Sequence, residues 1–153
     1  MALKALRTIR EIVGLRRSDR RAVVFLEGDG CSAGRGFDSL VEKKNREVRD
    51  RMDHWIGGGH KPTYHHPWND HPYTACYCFK WKENRVHQRL YGFLCHPDGD
   101  LPNFEVCVLV THDQKTEEDT DFRILDAINR IRVEKNVEEA IKTWLKERRK
   151  AQR

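Results

Sequence analysis

The chain predicts an α+β fold: a small, mostly antiparallel sheet with helices packed on it. Two observations carry this expectation. Three runs rich in aromatic and β-branched residues follow one another closely: Thr74–Trp81, Val86–Leu94 and Phe104–His112. Such residues suit a pleated, half-buried surface. The links between them, Lys82-Glu-Asn-Arg85 and Pro97-Asp-Gly-Asp-Leu-Pro102, are turn chemistry, so the three runs read as a meander.

The remaining elements follow in order. Leu3, Leu6, Ile9, Ile12 and Val13 recur at helical spacing between basic residues, which predicts an amphipathic helix over 3–13 with Gly14 as its stop. Arg21–Glu27 reads as a first strand. Gly28–Gly36 carries four glycines but matches neither G-x-G-x-x-G nor a Walker A loop, so it reads as a flexible strand-to-helix connection. Ser39-Leu-Val-Glu42 has capping-box form and opens a helix to Ile56, with Leu40, Val41, Val48, Met52, Trp55 and Ile56 as its apolar stripe. Gly57-Gly-Gly59 ends it, and His60–His71 reads as a polar loop. After the meander, Asp119-Thr-Asp121 caps a helix to Arg132 with the stripe Phe122, Leu125, Ile128 and Ile131. Asn136 reads as the N-cap of a last helix to about residue 149, with Val137, Ala140, Ile141, Trp144 and Leu145 facing inward.

A chain of 153 residues is expected to form a single domain, here with a core over about 21–132 and terminal helices as additions. Apolar residues make up 38% and charged residues 35%, which describes a water-soluble globule with a charged surface. The 29 Lys and Arg against 24 Asp and Glu give a formal +5, which permits a nucleic-acid partner and gains meaning only if focused on one face. No apolar run is long enough to cross a membrane and no secretory signal is visible. Three of the five cysteines fall inside strands as small buried hydrophobes, so a reducing, cytoplasmic location is expected.

The sheet also carries cations. Lys80, Arg89 and His112 lie in or at the ends of strands otherwise built for a core, which suggests a rigid site for an anion. Strand alternation places His87, Arg89, Tyr91 and Phe93 on one face and Leu90, Gly92 and Leu94 on the other.

Three segments resemble the RelE/ParE superfamily of bacterial toxins, and most of all its HigB-like, phage-associated branch. Arg89-Leu-Tyr-Gly-Phe93 resembles that family's Arg-aliphatic-Tyr-x-Phe strand. Phe104–His112 resembles the hydrophobic strand after it. His112-Asp-Gln-Lys115-Thr116 and the helix from Asp121 to Arg132 resemble its Lys-rich turn and closing helix. By element order the resemblance spans about 21–132. The chain departs from the family pattern in showing one helix, not a hairpin of two, after the first strand. Cys78-Phe79-Lys80 stands in place of Glu-x-Arg, and Lys115 in place of paired lysines.

The resemblance implies a type II toxin that cuts mRNA on the ribosome and is held by a cognate antitoxin. In that chemistry the 2′-hydroxyl attacks the neighbouring phosphate, with no metal or other cofactor. A base, a proton donor and cations for the phosphorane are required. The residues expected to supply them are Arg89, His112, Lys115, Lys80 and Tyr91, with His87, Lys82 and Arg85 contacting RNA. Arg89 is the expected phosphate grip, since a guanidinium binds phosphate in a bidentate manner. His112 and His87 are the candidates for proton transfer. Tyr64, Trp68 and Tyr73 either stack on RNA or cover the sheet edge.

Two other classes stay open. One is a binding module on the same fold that inhibits a host protein or docks to nucleic acid without cutting, since fold alone does not set activity. The other is a small metal-binding structural protein organised by His54, His60, His65, His66, His71, Cys76 and Cys78. Their spacing fits no common zinc site, so no metal is expected.

Overall fold

A computed structural model describes residues 6–115 and 120–151. The fold is α+β. It has a six-stranded mixed sheet: β1 Arg7–Glu11, β2 Arg21–Gly28, β3 His65–Pro67, β4 Cys76–Glu83, β5 Val86–Cys95 and β6 Glu105–Lys115. Four helices complete it: α1 Ala33–Asp38, α2 Glu42–Ile56, α3 Phe122–Arg132 and α4 Lys135–Ala151. The strand order is β1-β2-β6-β5-β4-β3.

The meander is β4, β5 and β6, all antiparallel. The sheet as a whole is mixed, because β2 runs parallel to β6 with Arg21 opposite Glu105 and Phe25 opposite Leu109. Both strands are apolar without a break, Ala22–Leu26 and Val106–Val110, and all ten residues are buried. Such runs belong to strands covered on both faces. One face packs Val24, Leu26, Tyr91, Phe93, Val106 and Val108 against Leu125 and Ile128 of α3 and Val137, Ile141, Trp144 and Leu145 of α4. The other packs Val23, Phe25, Phe79, Leu90 and Leu109 against Phe37 of α1 and Val48, Met52, Trp55 and Ile56 of α2. The domain is therefore three layers, with helices on both sides of the sheet.

Several sequence expectations are corrected. Within the helix expected over 3–13, Arg7–Glu11 is strand β1, pairing antiparallel with β2 from Arg7–Gly28 to Glu11–Val24, and no described residue of the segment is helical. As a strand it alternates correctly: Ile9 packs on the α3–α4 side, while Arg10 lies over the Phe25 ring at 5.0 Å on the other. Leu6 and Val13, which a helix would have turned inward, are 80% and 90% exposed. The Gly28–Gly36 connection contains the start of α1. Ser39 does not cap α2: it closes α1, its hydroxyl donating to the Gly36 carbonyl at 2.8 Å. The residue before α2 is Val41, exposed and outside the helix. The His-rich loop holds the short strand β3. Asp121 does cap α3, accepting from the Arg123 amide, whereas Asp119 lies outside the described residues. The last helix starts at Lys135, so Asn136 is within its first turn.

Candidate nucleic-acid interface

The cations of the middle strands gather at one end of the sheet, on the face that α3 and α4 cover elsewhere. Cross-strand pairing builds the site row by row, since residues directly opposite each other share a face. Lys80, Arg89 and Asp113 form one row, and Lys82, His87 and Lys115 the next. Behind them Cys78, Tyr91 and Thr111 form a third, which His66 extends by pairing with Cys78.

One irregularity decides which residues of β6 join this face. Between Tyr91 and Gly92 the β5–β6 register shifts: Gly92 pairs with Leu109, but Tyr91 pairs with Thr111. Val110 is the extra residue of a bulge, and a one-residue slip turns every later side chain over. Val106, Val108 and Val110 all face α3 and α4, so unbroken alternation would have put His112 beside Arg89. Because of the bulge, Asp113 and Lys115 stand there in its place. Gly92 accommodates the kink: a Cβ at that position would meet the Val108 carbonyl and come within 2.7 Å of the Leu109 Cα.

Arg89 is only 5% exposed. Its guanidinium donates to the Tyr91 hydroxyl at 3.3 Å and reaches Thr120 Oγ1 at 3.5 Å. Burial pushes the Tyr91 phenol up to about 12 despite the adjacent Arg89, so it stays protonated. Trp68 stacks over the Tyr91 ring at 5.8 Å, and His66 lies against Trp68 at 4.6 Å. His66 Nδ1 donates to the Pro67 carbonyl at 2.9 Å, while Nε2 faces the Cys78 thiol at 3.5 Å. Burial lowers the His66 pKa, and the Lys80 and Arg89 cations add to that against the Pro67 hydrogen bond. Lys115 lies 3.8 Å from Asp113.

The cationic face continues round the edge of β4, past the end of the short β3, as an open groove of about 540 Å³. Lys80, Lys82, His87 and Arg89 line it from the sheet, and Lys44 and Arg51 from α2. Lys44 donates to the Lys82 carbonyl at 2.9 Å and Arg51 to the Lys80 carbonyl at 2.6 Å. Glu47 holds both of these α2 cations at 3.0 Å. Sequence reading missed Lys44 and Arg51. Their signal was present, since 44, 47 and 51 recur on one helix face. His66 carried no such signal; only its pairing with Cys78 shows its place.

Two expected site residues lie elsewhere. Arg85 and Asn84 form the two-residue turn between β4 and β5, both with positive φ (68° and 48°), so Arg85 sits exposed at a hairpin tip. His112 faces α1, with the sheet between it and Arg89. Its ring stacks on Trp81 at 6.0 Å and 9°, and Nε2 makes a 2.7 Å hydrogen bond to Gln88 Oε1. Its backbone N–H donates to Ser32 Oγ at 2.9 Å. Burial lowers its pKa, although Asp113 and Glu83 oppose this.

The histidines of the loop divide between the two faces. His65 is fully buried on the α2 side, 3.1 Å from His54 and 2.7 Å from the Tyr77 hydroxyl. Burial, with help from His54, lowers its pKa to about 4. His60 and His71 are exposed. Among the described residues no three His, Cys, Asp or Glu converge as a metal site. Among them too, no helix is long and apolar enough to cross a membrane. Tyr64 covers the sheet edge beneath Arg51 and Lys61, with cation-to-ring distances of 4.3 and 4.0 Å. Tyr73 binds Asp126 of α3 at 2.8 Å.

Comparison with protein-family models, with curated proteins and with solved structures found no match for this chain.

Proposed function

We propose that this protein is a toxin of the RelE/ParE type, closest to the HigB-like branch, that grips single-stranded mRNA on the ribosome and cuts it by 2′-hydroxyl attack. The observation that carries this reading is the gathering of Lys80, Lys82, His87, Arg89 and Lys115 on one rigid face, flanked by Lys44 and Arg51. A focused cationic groove on a protein of modest net charge is the footprint of a phosphate backbone. The pair α1–α2 after β2 adds support, since the family pattern has two helices there.

In this reading Arg89 stabilises the phosphorane, with Lys80 and Lys115 adding charge from the two neighbouring strands. Tyr91, protonated and held against Arg89, fixes the guanidinium and does not itself stack on a base. His87 takes the proton-transfer role, because it is the imidazole between Lys82 and Lys115 on the Arg89 face. His112 positions β6 against α1. The partners are mRNA, the ribosome and a cognate antitoxin. Induced expression tests the reading: growth arrest with cleaved mRNA supports it.

A binding module without cleavage is the second reading. The near-complete burial of Arg89 against Tyr91 and Thr120 favours it, as a catalytic cation must reach the reacting phosphate. Growth arrest with intact mRNA would select it.

A further inference from the structure

At the opposite end of the sheet, and on its α2 side, lies a second cleft of about 610 Å³. The span of β6 from Glu105 to Lys115 separates it from the Arg89 face by about 30 Å at strand rise. No single small ligand bridges the two.

Three guanidinium groups line this cleft, Arg16, Arg20 and Arg21, against one carboxylate, Glu105. Arg21 is fixed. It stacks on Trp55 at 4.5 Å, donates to the Trp55 carbonyl at 2.7 Å and meets Glu105 at 3.4 Å. Glu105 is further engaged by His96 at 3.5 Å. Arg16 and Arg20 are exposed, and neither side chain is ion-paired or hydrogen-bonded to another described residue. Their backbones are nonetheless held in place. The Arg16 amide donates to Asp53 at 2.9 Å, and the Arg16 side chain lies against Gly57. Ser18 Oγ accepts from the amides of Arg20 and Arg21 at 3.0 and 3.4 Å, which leaves its own hydrogen to donate. Arg148 of α4 secures the Ser18 carbonyl at 2.7 Å. The backbone beneath the two exposed arginines is thus fixed, and both line the cleft.

We propose that this cleft is a second anion site that takes a phosphate-bearing ligand of nucleotide size, gripped by Arg16 and Arg20. Paired guanidinium forks match phosphate oxygens in geometry as well as charge. The volume lies within the ordinary range for small-molecule pockets, about 300–1,000 Å³. The site stands independently of the reading given to the Arg89 face. Two sources share the chemistry: a free nucleotide, or the terminal phosphate of an RNA.

Isothermal titration of the full chain at physiological salt tests it, using pyrophosphate, ADP and a short 5′-phosphorylated RNA as probes. Pyrophosphate and ADP are expected to bind saturably, one per chain, and the double variant Arg16→Ala/Arg20→Ala to weaken both by about tenfold or more. Arg16→Lys/Arg20→Lys is expected to recover only part of this, and Arg89→Ala to leave ADP binding unchanged. If the Arg16/Arg20 variant also loses affinity specifically for the 5′-phosphate of the RNA, the source is nucleic acid; if it does not, the source is a free nucleotide. The proposal is overturned if neither pyrophosphate nor ADP binds saturably at millimolar concentration. It is equally overturned if the double variant, with its unfolding midpoint intact, binds them as wild type does, or if Arg89→Ala is the change that removes binding.

Discussion

Arg89 and His112 are neighbours across the β5–β6 ladder yet face opposite sides of the sheet: Leu90 pairs with His112, and Arg89 with Asp113. The bulge at Val110 is the cause. It makes His112 a packing residue, bound by Trp81 and Gln88, and leaves Arg89 among the cations of β4 and β6. His112→Ala is therefore expected to destabilise the fold by about 1–3 kcal/mol, from a lost aromatic contact and a stranded Gln88 amide. RNA affinity should stay within about twofold of wild type, since no phosphate-facing charge is removed. Urea unfolding and RNA titration of the same variant check both halves.

Gly36 and His112 are coupled by contact. A side chain on Gly36 would press into the His112 ring, so Gly36→Ala should cost about 1–3 kcal/mol by overpacking. In a His112→Ala background most of that cost should vanish. A double-mutant cycle by chemical denaturation reads the coupling, and additive effects would contradict the packing described.

The α+β class, the three meander strands and the helices α2, α3 and α4 were legible in the sequence. In each, apolar periodicity ran long enough to be read and ended in turn residues or a cap. What escaped was short or depended on a partner. Leu6, Ile9, Ile12 and Val13 fit a helical period over too few residues to exclude a strand, and only pairing with β2 decides it. The six residues of α1 include two glycines, so propensity argued against a helix there. The three residues of β3 exist as strand only through Tyr77–Phe79. Burial on both faces was visible in the unbroken apolar runs Ala22–Leu26 and Val106–Val110, which were read for strand and not for layer. At the site, alternation placed His87, Arg89 and Tyr91 together correctly. Nothing in the composition of β6 marks Val110 as the extra residue, so the sequence does not show that His112, expected as a proton-transfer group, turns away from Arg89.

His65 makes the fold acid-sensitive. Its folded pKa of about 4 lies below the ordinary histidine value of 6.5, so the unfolded chain binds the proton more readily. Its contribution is fully present above about pH 6.5 and is lost as pH falls toward 4, at up to ~1.4 kcal/mol per pH unit. His65→Phe, which keeps the ring against Tyr77 and Phe79, should flatten the pH dependence of stability in that window. Thermal unfolding from pH 4 to pH 7 measures it.

In the proposed function the groove cations act through charge. Lys44→Ala and Lys82→Ala should each weaken RNA binding with little regard to sequence, and each should lower the slope of log affinity against log salt by about 0.7 for a single strand. Unchanged slopes in both variants would place the RNA elsewhere on the protein.

A metal should have no part in stability. Elemental analysis of protein purified without a histidine tag is expected to find no stoichiometric zinc, because the loop histidines are divided between the two sheet faces. About one zinc per chain, lost together with stability on chelation, would refute this.

The decisive measurement is primer extension on a reporter mRNA in cells expressing the wild type, Arg89→Ala or Arg89→Lys. Wild type is expected to arrest growth and cut the message. Arg89→Ala, folded as judged by its unfolding midpoint, should lose cleavage by roughly 10²-fold or more, the usual loss on removing a cation from a developing phosphorane. Arg89→Lys should recover part of it, retaining charge without the fork. A wild type that leaves mRNA intact on translating ribosomes, or a folded Arg89→Ala that cuts as wild type does, would contradict the proposed function.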